Sequence, residues 1–511
     1  MQTCCWCFTA KKGSIPVNVR NSKTQKCEKR TDKDLTRQWK SIDWKKIRSN
    51  VNRLQTRIAK ATHEGKISLV KRLQYLLTNS YSAKILAVRI VTQNRGSRTP
   101  GIDGVRWLRP HQKMQTVLSI THKKYTAQPL KRIYIPKPGK KTKRPLSIPT
   151  MYDRAMQALY ALALQPVAET SADARSFGFR LFRSAQDASQ YAFICLRHPK
   201  SAPWILEGDI KGCFDNISHE WLKENVQMEQ SVLSQFLKAG YVFEQNLYHT
   251  DKGTPQGGII SPILANLALD GIEGILNEQY PNMKVHFIRY ADDFLVTAPS
   301  KEVAEEIREL IRIFLAERGL ELSESKTLIT HINDGVDFLG WSLRKYGGSF
   351  VTKPSKESIK KITDKVSKII HKAAAWSQEQ LIKALNPVIT GWANYHRHIV
   401  AKKTFQKLDN IIWNMLWRWA KRKHPKKGKK WIARRYWHTE DTRNWVFKEK
   451  AATLVLFADT KIRRHVMVKL DKNPYLDRDY FLERLNKVQK STPWIQTRLS
   501  YFANRRPEYG L

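Results

Sequence analysis

Phe287-Ile288-Arg289-Tyr290-Ala291-Asp292-Asp293-Phe294-Leu295-Val296 decides how the rest of this chain is read. Two apolar runs rich in aromatic and β-branched residues flank a pair of carboxylates, a pattern that predicts strand, tight turn, strand. Such a hairpin holds both acids at one exposed tip. Asp is poor in strands and common in turns, so a lone Asp-Asp pair is more often a surface turn than a site. A second acidic strand end changes that reading. Trp204-Ile205-Leu206-Glu207-Gly208-Asp209-Ile210 runs apolar into Asp209, and Ser218 then serves as N-cap for a helix through Trp221 and Leu222. One acid leaving a strand, set against two on a hairpin, is what a pair of divalent cations needs for in-line phosphoryl transfer.

Composition limits what this site can serve. The 511 residues suffice for about three domains of roughly 150 residues, and 41% hydrophobic content supplies ordinary cores. Lys and Arg total 91 against 45 acids, a formal net charge of +46. That charge favours a polyanionic partner, because each phosphate neutralised releases counterions; an acidic membrane surface would attract it too. No uncharged apolar run approaches the roughly 18 residues of a spanning helix, and the longest, 155–168, ends near Pro166. A soluble protein with no membrane partner is expected. Six cysteines, four of them in the first 27 residues, make no disulfide framework and suit a reducing compartment.

The first 35 residues lack periodicity. Cys4, Cys5, Cys7 and Cys27 are irregularly spaced with no matching His pair, so a flexible leader is expected there rather than a zinc site or a secretory signal. From 39 to 95 the pattern is helical, with Trp44, Ile47, Val51, Leu54 and Ile58 separated by Gly65 from Leu69, Leu73, Leu76 and Leu77. Gly101-Ile102-Asp103-Gly104 follows in a loop that reads equally as a linker or as a phosphate contact. Between 121 and 150 lie nine Lys or Arg residues and no acid. Arg132-Ile133-Tyr134-Ile135-Pro136 and Arg144-Pro145-Leu146-Ser147-Ile148-Pro149 alternate as strands around the turn Lys137-Pro138-Gly139-Lys140. A basic hairpin without counter-charge repels itself, which favours triphosphate or template binding over a merely solvated face. Residues 155–168 read as a buried helix, and Arg175-Ser176-Phe177-Gly178-Phe179-Arg180 sets cations on a turn, as contact with a phosphate backbone would use. In Gly253-Thr254-Pro255-Gln256-Gly257-Gly258-Ile259-Ile260-Ser261-Pro262 the glycines free a loop that feeds a helix capped by Ser261. Val303, Ile307, Leu310, Ile311, Phe314 and Leu315 mark an amphipathic helix stopped by Gly319.

The ordered set of Asp209 with Phe214, Pro255-Gln256-Gly257, Tyr290-Ala291-Asp292-Asp293, Lys326 and Phe338-Leu339-Gly340-Trp341 resembles the right-hand polymerase motifs of reverse transcriptases. More closely, the chain resembles the reverse transcriptase/maturase proteins encoded by group II introns. Gly101-Ile102-Asp103-Gly104, Ile135-Pro136-Lys137 with Arg144-Pro145-Leu146, and Gly391-Trp392-Ala393-Asn394-Tyr395-His396 carry that closer likeness, which spans roughly 36–511. A lone Tyr-x-Asp-Asp is weakly specific; five motifs in order are strongly so.

The resemblance implies an α+β fold: fingers and a palm with an antiparallel sheet over 36–345, a helical thumb/maturase domain over 346–440, and a small basic DNA-binding domain over 441–511. It implies two Mg²⁺ ions on Asp209 and Asp292, with the Ile210 carbonyl as a further ligand and Asp293 in support. Lys137 and Arg144 would clasp the triphosphate, Gln256 would lie against the incoming nucleotide, and Lys326 would aid the leaving group. Phe214 would crowd a ribose 2′-hydroxyl and so favour deoxynucleotides, and Phe338, Leu339, Gly340 and Trp341 would form the primer grip. The implied partners are intron RNA, an RNA template with DNA primer, target DNA and dNTPs. The implied location is the bacterial cytoplasm, at the nucleoid, or an organelle.

Residues 351–440 hold 22 Lys or Arg against five acids, and seven of the sixteen tryptophans. Leu408, Ile411, Ile412, Met415 and Trp419 fit one helical face, so several aromatics are core first. The run 421–430, with Lys421, Arg422, Lys423, Lys426 and Lys427, cannot be core and suits an RNA or DNA backbone. No cysteine follows Cys213, so the paired Cys-x-x-Cys ligands of an HNH nuclease are missing and bottom-strand cleavage is not expected. A primer from elsewhere, such as a replication fork, is expected instead. Two other readings stand beside the polymerase-maturase: a splicing factor with an idle polymerase, which would not need Asp209, Asp292, Asp293 and Phe214, and a domesticated or defence reverse transcriptase, which would not need the maturase-like thumb.

Overall fold

The computed structural model describes residues 31–136, 142–440, 442–450 and 452–491. Lys137, the four leader cysteines and the last twenty residues lie outside them. The expected α+β architecture is present, with antiparallel sheets and a helical region toward the C-terminus.

A four-stranded sheet is the frame. Its order is Phe287–Tyr290, Asp293–Ala298, Trp204–Asp209, Leu328–His331, every neighbour antiparallel. Phe287 and Ile288 and, in the next two strands, Phe294 to Val296 with Ile205 and Leu206 are buried, so this sheet is covered on both faces. Gly208 is required: a Cβ there would overlap the Phe294 ring on the neighbouring strand. Helix Lys301–Ala316 covers one face with Ile307, Ile311, Phe314 and Leu315, and Gly319 follows at φ +70°.

The helical arm is Trp44–His63, Ile67–Asn79 and Tyr81–Gln93, broken at Gly65 (φ +67°) as the spacing predicts. A shorter helix, Asp32–Lys40, precedes it behind a Thr31–Asp34 capping box. The arm packs on helix Met151–Ser171, which runs on through Pro166 rather than ending there. Proline cannot donate to the Leu162 carbonyl four residues back; the side chain of Gln55 does so instead at 2.7 Å, and the helix continues. Strands Leu130–Pro136 and Lys143–Ile148 form the expected basic hairpin, joined by Tyr241–Phe243 and Asn246–Tyr248 into a second sheet.

Helices Lys356–Lys372, Gln378–His396 and Lys402–Lys423 bury Ile362, Val366, Leu381, Leu385, Phe405 and Trp419 in a core of their own. Phe447, Leu454 and Phe457 complete that core, and the chain then returns to the central sheet, where Val468 and Phe481 pack beside Ile205, Ile288 and Leu295. Buried Asp187 ties the return: it accepts from Val468 N–H at 2.8 Å, Arg484 at 2.6 Å and His465 Nε2 at 2.9 Å. Burial alone would raise its carboxyl, but these partners hold it at about 2. Among the described residues no helix is long and apolar enough to cross a membrane.

Candidate active site

The central sheet brings the three predicted acids together. Asp209 ends its strand directly opposite Asp293, Tyr290 pairs with Asp293, and Ala291-Asp292 form the turn between those strands. Ala291 sits at φ 60°, which closes the hairpin in so few residues. Lys326 Nζ meets Asp209 Oδ2 at 2.7 Å. Asp293 meets solvent, yet surrounding protein withdraws much of its water, and Asp292 and Asp209 repel its charge; its carboxyl is pushed up to about 6. Asp292 is likewise raised by burial and by Asp209, against the pull of Arg144 and Lys326. Glu207, two residues behind Asp209 on the same strand, is raised to about 7 by burial, then by Asp337, and then by Asp293 and Asp209.

Of the other predicted groups, Arg144 and Lys326 act on the charge of Asp292, and Phe214 and Gln256 are tied to each other and to the basic hairpin. Phe214 lies on the short helix Cys213–Asn216 and meets Phe179 edge-on, ring centres 6.0 Å apart. Thr254 N–H donates to the Phe214 carbonyl at 2.6 Å, which ties the Pro-Gln-Gly loop to that helix. Gln256 Nε2 donates to Asp215 at 3.0 Å, and its carbonyl accepts from Ser147 N–H of the basic hairpin at 2.8 Å. Gly257 (φ +119°) lets the loop lie against that hairpin, because a Cβ would press on the Ser147 carbonyl. Ser261 does not cap its helix as the sequence suggests: its hydroxyl donates to the Pro255 carbonyl at 2.9 Å and braces the loop. Ile210 follows Asp209 and bridges Leu322.

Two groups read from sequence behave differently. Arg175 and Arg180 face inward, Arg175 onto Glu273 and Arg180 onto Glu169 at 3.0 Å, so neither is a free turn cation. In the basic run, Lys421, Arg422 and Lys426 are exposed; Lys423 donates to the Trp376 carbonyl and covers the Trp419 ring, and Lys427 covers Trp431.

The Phe338-Leu339-Gly340-Trp341 turn buries both of its aromatic side chains. Trp341 is fully buried, stacks on Tyr395 with ring centres 4.7 Å apart, and donates from Nε1 to His396 Nδ1 at 3.0 Å. Tyr395 hydroxyl donates to the Leu339 carbonyl at 2.9 Å. Trp341 has only a donor, so His396 Nδ1 is an acceptor and its proton sits on Nε2, facing Ser358 Oγ at 3.2 Å. The Gly391–His396 motif is therefore the clasp that holds this turn.

Sequence reasoning missed the support beneath the acid hairpin. Arg289, fully buried inside the apolar strand, donates to Asp270, to Asn266 Oδ1 at 3.1 Å and to the Ala291 carbonyl at 3.4 Å. Asn266 also holds the Gly178 carbonyl at 2.9 Å, and a Cβ on Gly178 would collide with the Ala291 backbone. An arginine inside an apolar strand was the available signal, since buried charge needs partners.

Among the described residues no three His, Cys, Asp or Glu side chains stand close enough to enclose a metal by themselves. Two carboxylates suit Mg²⁺ nonetheless, because that ion keeps waters and takes substrate phosphates as its remaining ligands. Asp209 and Asp292 supply two such carboxylates, and the burial and mutual repulsion that raise Asp292 and Asp293 are what a bound cation would offset.

Residues 135–343 match the family described as reverse transcriptase (RNA-dependent DNA polymerase). Residues 39–120 match the N-terminal domain of reverse transcriptase, and 359–437 the group II intron, maturase-specific domain. The chain is 28% identical to the group II intron-encoded protein LtrA of Lactococcus lactis subsp. cremoris, with 70% of each chain covered. It is 32% identical to protein YkfC of Escherichia coli (strain K12), covering 50% of this chain and 79% of that one. A telomerase from Candida albicans, solved with a TWJ fragment of telomeric RNA, aligns with 61% of this chain and 65% of its own at TM-score 0.36 and 12% identity, a likeness too slight to carry detail.

Proposed function

The chain belongs to the family of reverse transcriptases and maturases encoded by group II introns, and on that premise we propose that it assists the splicing of an intron RNA and copies that RNA into DNA during retrohoming. As a member of the family it is an RNA-directed DNA polymerase. Its substrates are then dNTPs on an RNA template with a DNA primer, and the target DNA is a further partner. Residues 36–345 act as fingers and palm, 346–440 as thumb and maturase domain, and 441–511 as DNA-binding domain.

Asp209 and Asp292, with the Ile210 carbonyl, would hold two Mg²⁺ ions, Asp293 supporting from the next position. Bound there, they would sharpen the primer 3′-hydroxyl as nucleophile and steady charge on the departing pyrophosphate. Lys326, already paired with Asp209 at 2.7 Å, brings a proton donor and a positive charge to the leaving group. Arg144, whose charge is felt at Asp292, draws in the triphosphate with Lys137. Gln256, braced by Asp215, lies against the nucleotide, and the Phe214 ring closes the space that a 2′-hydroxyl would need. The Leu339-Gly340 backbone meets the primer while Phe338 and Trp341 anchor it from below. Lys421, Arg422 and Lys426 offer phosphate contacts to the RNA, with Lys423 and Lys427 beside them.

The observation that carries this reading is the Asp209–Asp293 cross-strand pair with Asp292 at the adjoining tip. Primer extension on an RNA template with Mg²⁺ tests it. Asp292→Ala removes a ligand worth several kcal/mol of charge stabilisation, so DNA synthesis is expected to fall roughly a thousandfold or more while RNA binding stays close to wild type. Extension by the variant at the wild-type rate would exclude the two-metal site.

A further inference from the structure

Four tryptophans cluster on the helical region, away from the acids in the sequence and unused by the chemistry above. Trp413 and Trp417, one turn apart on helix Lys402–Lys423, stack in parallel with ring centres 5.5 Å apart and planes 8° from each other. Buried Trp437 packs against both, at 5.8 and 5.3 Å. Trp445 crosses them edge-on at 5.9 and 6.5 Å and is 53% exposed.

Trp445 is held out by its backbone. His438 pairs with Val446 and Glu440 with Arg443, so Thr439 alone faces Asn444 and Trp445, a β-bulge. Thr439 Oγ1 donates to Asn444 Oδ1 at 3.0 Å across it. Trp445 sits there at φ 62°, the left-handed region that such bulges normally give to glycine. Folding alone gains little from a large indole that is strained and half in water.

The charge around the cluster selects a partner. Among the described residues, Glu440 pairs with Lys448 at 2.5 Å, Glu449 with Arg435 at 3.0 Å and Asp459 with Arg443 at 2.6 Å, and Asp409, one turn before Trp413, accepts from Phe457 and Ala458 N–H. Arg418, Lys421 and Arg434 are exposed and make no ion pair among the described residues. Lys421 extends the Trp413–Trp417 stripe by one turn, and Arg434 lies three residues before Trp437. An aromatic face flanked by cations takes a flat π-system that carries an anionic backbone.

We propose that Trp445, backed by Trp413, Trp417 and Trp437, is a stacking platform for an unpaired base of the RNA that this protein grips. The inference rests on the RNA-binding reading above and names the part of the RNA it engages. Folded RNA presents such bases in loops and bulges, whereas a duplex keeps its bases stacked within itself.

The test is equilibrium binding of the full chain to a labelled oligouridylate, whose bases are not stacked on one another, at one fixed salt concentration. Trp445→Gly suits the bulge conformation, so the unfolding temperature is expected not to fall. Its affinity for oligouridylate is expected to drop about 5- to 100-fold, the range seen when a stacking ring is removed, with little change for duplex RNA. Trp445→Phe keeps a ring and is expected to recover most of that loss. Equal weakening on oligouridylate and duplex would overturn the platform, and so would wild-type affinity of Trp445→Gly for both. An equal loss on oligodeoxyuridylate would overturn the assignment to RNA. Failure of the wild type to bind any RNA or extend a primer would instead count against the reading on which the inference rests.

Discussion

The acid hairpin and the Phe338–Trp341 turn both join neighbouring strands, yet they turn their side chains in opposite directions. At the hairpin, Asp292 and Asp293 reach solvent while Arg289 is buried beneath them. At the turn, Phe338 and Trp341 are buried, Leu339 and Gly340 are half-buried, and their carbonyls accept from the Tyr395 hydroxyl and Ser355 N–H. A motif thus marks two kinds of residue, those that meet the substrate and those that fix the ones that do. Burial tells them apart. On the function proposed above, the hairpin holds its charge toward solvent over a polar, buried support, while the turn is fixed by aromatic packing.

The sharpest way to break that contrast is at Arg289. Arg289→Met removes the partner of buried Asp270, whose carboxyl burial has already pushed up to about 7 despite the guanidinium. Stranding a buried acid costs about 3–5 kcal/mol, which chemical denaturation would read directly. Adding Asp270→Leu removes the stranded group, and stability is expected to return by most of that amount. Polymerase activity is not, because Asn266 and the Ala291 carbonyl still lack their donor. Recovery of both together would mean that the network serves stability alone.

Gly178→Ala probes the same support without touching a charge. The new Cβ meets the Ala291 backbone, so either the hairpin tip or the Gly178 loop must shift. A displacement near 1 Å at reacting groups costs about a hundredfold in turnover. Single-turnover extension should slow by that order, with unfolding midpoint changed far less. An unaltered rate would show that the tip tolerates displacement.

These two positions also show why part of the site was hidden in the sequence. Strands and helices announced themselves by period, as with 287–296 and the arm from Trp44 onward, because those patterns are local. The support is not local: Arg175 finds Glu273 98 residues away, and Arg289 reaches Asn266 and Asp270 about twenty residues back along the chain. Pro166 misled for the same reason, its lost hydrogen bond being replaced by Gln55 from 107 residues away. Motif likeness brought out Trp341 and the Gly391–His396 stretch, but nothing in their order said that one clasps the other.

The clasp can be sharpened by pH. Burial, then the neighbouring His398, lower His396 to about 3, and a proton on Nδ1 would face the Trp341 donor. An unfolded histidine titrates near 6.5, so the unfolded state binds the proton first as pH falls. Stability from His396 is therefore complete above about pH 6.5 and is lost progressively toward pH 3. Raised carboxylates such as Asp270 and Glu207 act in the opposite sense, so the comparison is with His396→Gln, which can accept from Trp341 and donate to Ser358 without titrating. Wild type is expected to lose more unfolding temperature than the variant between neutral pH and about pH 5. Parallel curves would remove His396 from the clasp's proton economy.

The smallest effect falls where a supporting residue meets a substrate-facing one. Phe179, exposed and at φ 59°, touches the Phe214 ring edge-on, while its neighbour Gly178 is pinned under the hairpin tip. The contact joins the buried support to the residue proposed to exclude a 2′-hydroxyl. An edge-to-face pair is worth about 0.5–1.5 kcal/mol, so its loss should change discrimination by roughly 2- to 10-fold and leave the chemical step nearly intact. Phe179→Ala is therefore expected to raise ribonucleotide incorporation by that factor relative to deoxynucleotide, measured as the ratio of kcat/KM values. Phe214→Ala should raise it more, and the double variant no further than Phe214→Ala alone, because Phe179 acts only through that ring. Additive effects of the two substitutions would mean that Phe179 meets the nucleotide itself, and the division between supporting and substrate-facing residues would then fail at this contact.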